Sequence, residues 1–143
     1  MKKILFLHGF YASGQCVLAV ALREAFVGRA EVITPDLPIH PKEAVRFIHK
    51  LIDREQPNLL IGNSCGAFYA QMVSPVAGIP ALLGNPHFKM TGLFGEQDTL
   101  AHFEPTFLAH YNKTFHFPGG HTPTADEVRT WYVPLAEKLL KSI

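Results

Sequence analysis

The stretch Pro57-Asn58-Leu59-Leu60-Ile61-Gly62-Asn63-Ser64-Cys65-Gly66-Ala67-Phe68-Tyr69-Ala70-Gln71-Met72-Val73 decides the fold. An apolar run leads into Gly-Asn-Ser-Cys-Gly, and a helix-forming run leads out of it. That is G-x-S-x-G between a strand and a helix, the pattern of a nucleophile elbow. Gly62 and Gly66 have a physical reason to be there. On so sharp a turn the strand and the helix come too close for a Cβ. The turn exposes the Ser64 hydroxyl at the carboxyl end of a sheet, at a helix N-terminus that favours developing negative charge. A chain of this composition would contain such a match by chance only about 0.02 times.

Outward from the elbow, short apolar runs alternate with helical patterns. This reads as α/β: a doubly wound, mainly parallel sheet of about six strands in a single domain, 1–143. Strands are predicted over 3–8, 30–34, 58–62, 79–84, 91–95 and 114–117. Several are continuously apolar, as strands covered on both faces should be. Helices are predicted over 14–27, from Pro41 to about 54, after the elbow, near 104–111, and after Thr124. Thr124 and Glu127 have capping-box spacing. Pro134 should kink or split the last helix.

The chain has 143 residues, 48% of them hydrophobic, with net charge +1. That suits one sizeable core and gives no electrostatic reason to expect nucleic acid or an anionic membrane as partner. The 8 His are scattered, and no ligand spacing suggests a metal. Cys16 and Cys65 make no disulfide framework. The apolar run 4–7 after Lys2 and Lys3 is too short for a signal peptide. No run approaches the roughly 20 residues of a membrane span. The expectation is a cytoplasmic protein with no cofactor and no metal.

A serine hydroxyl needs a base, and the base needs a partner to fix its tautomer. In this architecture the chain order is serine, acid, histidine. Gly95-Glu96-Gln97-Asp98 follows the fifth strand, and Gly119-Gly120-His121 follows the sixth. The predicted triad is Ser64 as nucleophile, His121 as general base and acid, and Asp98 as the orienting carboxylate. Glu96 is the alternative acid; His8, His102 and His110 are weaker candidates for the base, and His116, on the strand itself, reads as packed or exposed. His8-Gly9-Phe10-Tyr11 closes the first strand, where a second oxyanion donor is supplied. The backbone N–H groups of Phe10 and Cys65 are the predicted pair. Asp36, after the second strand, reads as structural. Phe10, Tyr11, Phe68 and Phe88 divide between an acyl pocket and the core.

Together, Leu7-His8-Gly9-Phe10, Asp36-Leu37-Pro38, Gly62-Asn63-Ser64-Cys65-Gly66, Asn85-Pro86, Gly95-Glu96-Gln97-Asp98 and Gly120-His121 resemble the YqiA/YcfP-like esterases of the α/β-hydrolase superfamily. The resemblance implies hydrolysis of a small carboxylic ester or thioester, with the triad and oxyanion roles on the residues named. An acyltransferase would use the same groups. A non-catalytic binding protein of this fold need not keep serine, acid and histidine in order.

One feature is unusual. Members of this branch carry some tens of residues between Asn-Pro and the acid-bearing strand, whereas only residues 86–90 stand there in this chain. A parallel return normally takes a dozen or more residues. Two resolutions are predicted: a lid segment missing between about Phe88 and Leu93, or a swapped homodimer in which 91–143 docks on a partner's sheet. An antiparallel hairpin would defeat both.

Overall fold

The computed structural model describes residues 1–85, 92–95 and 114–143. Within them six strands form one sheet in the order β2-β1-β3-β4-β5-β6. They are β1 (Lys2–Leu7), β2 (Ala30–Ile33), β3 (Leu59–Asn63), β4 (Ala81–Gly84), β5 (Gly92–Gly95) and β6 (Thr114–Phe117). Every neighbouring pair is parallel. All six carboxyl ends therefore meet one edge.

Strand pleating explains why the inner strands are apolar throughout. Side chains alternate between faces, and both faces are covered. Ile4 and Phe6 of β1, Leu59 and Ile61 of β3, and Leu82 of β4 enter one core cluster. Leu5, Leu7, Leu60 and Leu83 enter the other. Helix α1 (Val17–Ala25) and the C-terminal helical segment cover the first face. Helices α2 (Pro41–Glu55) and α3 (Cys65–Ala77) cover the second.

Helix α1 begins three residues later than the periodicity suggests. The Gly14 N–H donates to Asp36 Oδ1 at 2.8 Å, and a Cβ on Gly14 would collide with the Thr34 carbonyl. Asp36 thus ties the loop before α1 to the end of β2. Arg23 strengthens the tie, donating to the Gly14 carbonyl at 2.7 Å and to the Thr34 hydroxyl.

The C-terminal segment is split, as Pro134 requires. A short α4 (Ala125–Glu127) carries both hydrogen bonds of the Thr124/Glu127 capping box. A π turn, Val128–Tyr132, follows, and then α5 (Val133–Lys141). Proline lacks an N–H, and its ring crowds the carbonyl four residues back; a wider turn just ahead of it relieves both. The helix predicted near 104–111 lies outside the described residues.

β4 and β5 pair in parallel with their ends offset. Gly92 stands beside Leu83, and Leu93 beside Gly84. The two strands thus lie one strand spacing apart, ~4.8 Å, with these ends offset by about one residue, ~3.3 Å. The antiparallel hairpin is not formed. β5 and β6 extend the sheet beyond β4, with their carboxyl ends at the same edge as that of β3. Residues 86–91, where most of the missing lid was expected, lie outside the described residues.

Candidate active site

Ser64 follows β3 directly and caps α3, its carbonyl accepting the Phe68 N–H at 3.2 Å. Its backbone is strained, with φ 54° and ψ −119°. A non-glycine residue at positive φ persists only where its surroundings impose it, and such residues cluster at functional sites. The constraint here is steric. A Cβ on Gly62 would run into the Gly66 carbonyl, and one on Gly66 would run into the Leu7 carbonyl. Strand, turn and helix are packed backbone against backbone.

The loop after β6 brings His121 over the elbow. Its Nε2 stands 2.8 Å from Ser64 Oγ. The loop is held from β4: Asn85 Nδ2 donates to the His121 carbonyl at 2.8 Å and approaches the Gly120 carbonyl at 3.4 Å. Below the elbow, the Tyr132 hydroxyl donates to Asn63 Oδ1 at 3.1 Å in a buried contact. Gly84 is glycine for the same reason; a Cβ there would collide with that hydroxyl and crowd Asn63 Oδ1.

The turn over 9–12 forms the opposite wall. The Gly9 carbonyl accepts the Ala12 N–H at 3.2 Å and is 2.7 Å from His8 Nδ1. A Cβ on Gly9 would stand 3.4 Å from Ser64 Cβ and 3.9 Å from its Oγ. The start of this turn thus passes close beside Ser64. The Cys65 N–H, in the first turn of α3, is one of the donors a helix start leaves unpaired. Neither this N–H nor that of Phe10 meets a protein acceptor among the described residues.

His8 is not available as a base. Its Nε2 accepts the Leu37 N–H at 2.9 Å, so the proton sits on Nδ1 and is donated to the Gly9 carbonyl. The buried ring ties the two loops that follow β1 and β2. His116 is exposed on β6. The strand before Glu96 and Asp98 ends at the same edge of the sheet as β3, but both carboxylates, with His102, His110 and Phe88, lie outside the described residues. Phe68 packs against the core, while Phe10 and Tyr11 stand exposed at the rim, ring centroids 4.2 Å apart.

Two clefts flank the 9–12 turn. One, of about 100 Å³, contains Ser64 and His121, with walls from Phe6, Phe10 and Val17. The other, of about 150 Å³, lies between the turn and Leu37, Ile39, Cys65 and Tyr69. Burial, and then the hydrogen bond with Cys65, push the Tyr69 hydroxyl up to about 12. No cluster of three His, Cys, Asp or Glu side chains is poised to hold a metal among the described residues. Among them no helix is long and apolar enough to cross a membrane.

The family model of the uncharacterised protein family UPF0227 matches residues 3–113. The chain belongs to this family. UPF0227 is the YqiA/YcfP-like family that the sequence resembles. The match runs from β1 past β5 and stops before His121. Solved structures extend the likeness over nearly the whole chain. Est1E from Butyrivibrio proteoclasticus superposes with a TM-score of 0.79 at 11% identity, covering 98% of this chain and 88% of that one. An extracellular α/β-hydrolase from a Paenibacillus species gives 0.70 at 15%, covering 99% and 98%. The thioesterase domain from the curacin biosynthetic pathway gives 0.72 at 14%, covering 97% and 91%. At these identities the likeness is one of fold: this UPF0227 member has the α/β-hydrolase fold.

The sequence reading named Ser64 and His121, and the structure brings them together. It named Asn85 only as part of the Asn85-Pro86 motif, with no role, and did not name Tyr132. An asparagine directly after an apolar strand was the available signal for Asn85. Tyr132 sits at helical spacing among core residues and gave none.

Proposed function

We propose that this protein is a serine hydrolase that cleaves small carboxylic esters or thioesters through an acyl-enzyme on Ser64. The observation that carries the reading is the 2.8 Å approach of His121 Nε2 to Ser64 Oγ at a strained strand-to-helix turn. Nucleophile and base within hydrogen-bond reach are what acyl transfer needs first.

On this reading His121 Nε2 accepts the hydroxyl proton as Ser64 Oγ attacks the carbonyl carbon. The oxygen of the tetrahedral intermediate takes its negative charge toward the Phe10 and Cys65 N–H groups, the latter at the positive end of α3. His121 then gives its proton to the departing alcohol or thiol. A water, deprotonated by the same nitrogen, attacks the acyl-enzyme; the acid leaves as that proton passes from His121 Nε2 to Ser64 Oγ. Asp98 is the proposed partner that orients the imidazole. The apolar walls around Ser64 suit an uncharged acyl or alcohol group. Both cysteines are free, which supports a reducing compartment, the cytoplasm, as the place of action.

Hydrolysis of p-nitrophenyl esters of graded chain length, with fluorophosphonate labelling, tests the reading. A label on Ser64 and turnover lost in Ser64→Ala are expected. Full turnover in Ser64→Ala would overturn it.

A further inference from the structure

Two consecutive residues at the end of β4 hold the two halves of the site. The Gly84 carbonyl accepts the Ser64 N–H at 2.9 Å. The next side chain, Asn85, donates to the carbonyl of His121 itself at 2.8 Å and leans to that of Gly120 at 3.4 Å. Asn85 is fully buried and has φ 46°. Few residue types accept that left-handed backbone, and asparagine is foremost among the non-glycine ones. Its carboxamide adds N–H donors at a point where the loop presents two carbonyls.

From this geometry we infer, resting on the hydrolase reading above, that Asn85 is a positioning residue: it sets the height of His121 over Ser64. The loop does not fix that height alone, since Gly119-Gly120 directly precede the histidine. The bond is to the histidine's own carbonyl, so little chain lies between clamp and ring. Moving a reacting group by about 1 Å can cost about 100-fold in rate. Losing the Asn85 donor therefore lowers kcat and leaves substrate binding nearly untouched.

The test is a double-mutant cycle on p-nitrophenyl acetate hydrolysis with Asn85→Ala and His121→Gln. Asn85→Ala is expected to lower kcat about 100-fold with KM within about threefold. In the His121→Gln background the same change should cost less than about threefold, because residues that act as a unit are not additive. Asn85→Asp keeps the size, removes the donor and should be as slow as Asn85→Ala. Asn85→Gly tolerates the backbone angle and serves if Asn85→Ala does not fold. The inference is overturned if kcat stays within threefold of the parent. It also fails if the loss is the same with and without His121, if Asn85→Asp is as fast as the parent, or if all three variants unfold. If His121→Gln abolishes turnover and Asn85→Ala does not slow it, only this inference falls. If His121→Gln itself leaves the rate unchanged, the hydrolase reading falls and takes this inference with it.

Discussion

Tyr132 and Asn63 are joined by a buried hydrogen bond, 3.1 Å from hydroxyl to carboxamide oxygen, one residue before Ser64. It links the π turn ahead of Pro134 to the last residue of β3. The hydroxyl also occupies the space that Gly84 leaves open. Tyr132→Phe removes the donor and leaves the Asn63 oxygen buried without it. A loss of about 1–3 kcal/mol is expected for an orphaned buried acceptor, measured by urea unfolding. An unchanged midpoint would show that the bond contributes nothing.

Ser64→Ala should leave the far-ultraviolet circular dichroism intact and lower ester turnover by several orders of magnitude. His121→Gln should cost nearly as much. If an exposed histidine such as His116 proves more important than His121, the pairing above Ser64 is not the working one.

The orienting carboxylate is separable by substitution. Asp98→Asn should slow turnover less than His121→Gln does, because it disturbs tautomer and orientation and leaves the base present. Glu96→Gln should stay within about threefold of the parent, a change too small for a working group. The reverse ranking would move the role to Glu96.

Two glycines near Ser64 should respond in opposite ways. Gly66→Ala drives a Cβ into the Leu7 carbonyl, and neither backbone can yield cheaply. A loss of about 3 kcal/mol, the upper end of overpacking, is expected. Gly9→Ala meets only ordinary contacts, so its melting temperature should hold. Its new methyl nevertheless stands beside Ser64 Oγ, and turnover of bulky esters should fall. Equal melting temperatures for the two variants would contradict the packing described.

Which parts could be read in the chain follows from how local their causes are. β3 and its elbow announce themselves because the apolar run, the turn glycines and the helix lie within seventeen consecutive residues. His121 was legible because glycines after a strand place a side chain at the sheet edge. The β4–β5 link was legible by length alone, since residues 86–90 are too few for an ordinary parallel return; the offset of the two strands, with Gly92 beside Leu83, was not. Asn85 was legible as part of a motif but its role was not, because its partners lie 35 and 36 residues away. Tyr132 looked like plain core because only its hydroxyl, not its ring, distinguishes it.

Alkaline stability should report on Tyr69. Its hydroxyl is held at about 12 against an ordinary 10.0, chiefly by burial and then by its bond with Cys65. A raised value means the unfolded chain loses this proton first. The stabilisation is therefore complete below pH 10 and is lost as pH climbs toward 12. Tyr69→Phe removes the proton and should flatten that part of the stability curve, read by thermal melts across the alkaline range. An unaltered slope would rule Tyr69 out as its source.

The contact between Ser64 and His121 joins groups 57 positions apart. A ribosome adding roughly 5–20 residues per second needs about 3–11 s to cover that interval. During it the growing chain carries the elbow without its histidine. On the reading proposed, such a nascent chain is chemically silent, however well its first strands have paired. Tyr132, which braces the elbow from below, emerges later still. On that reading activity follows synthesis of the segment that carries His121, and a product of translation truncated before it would carry the motif without its reactivity.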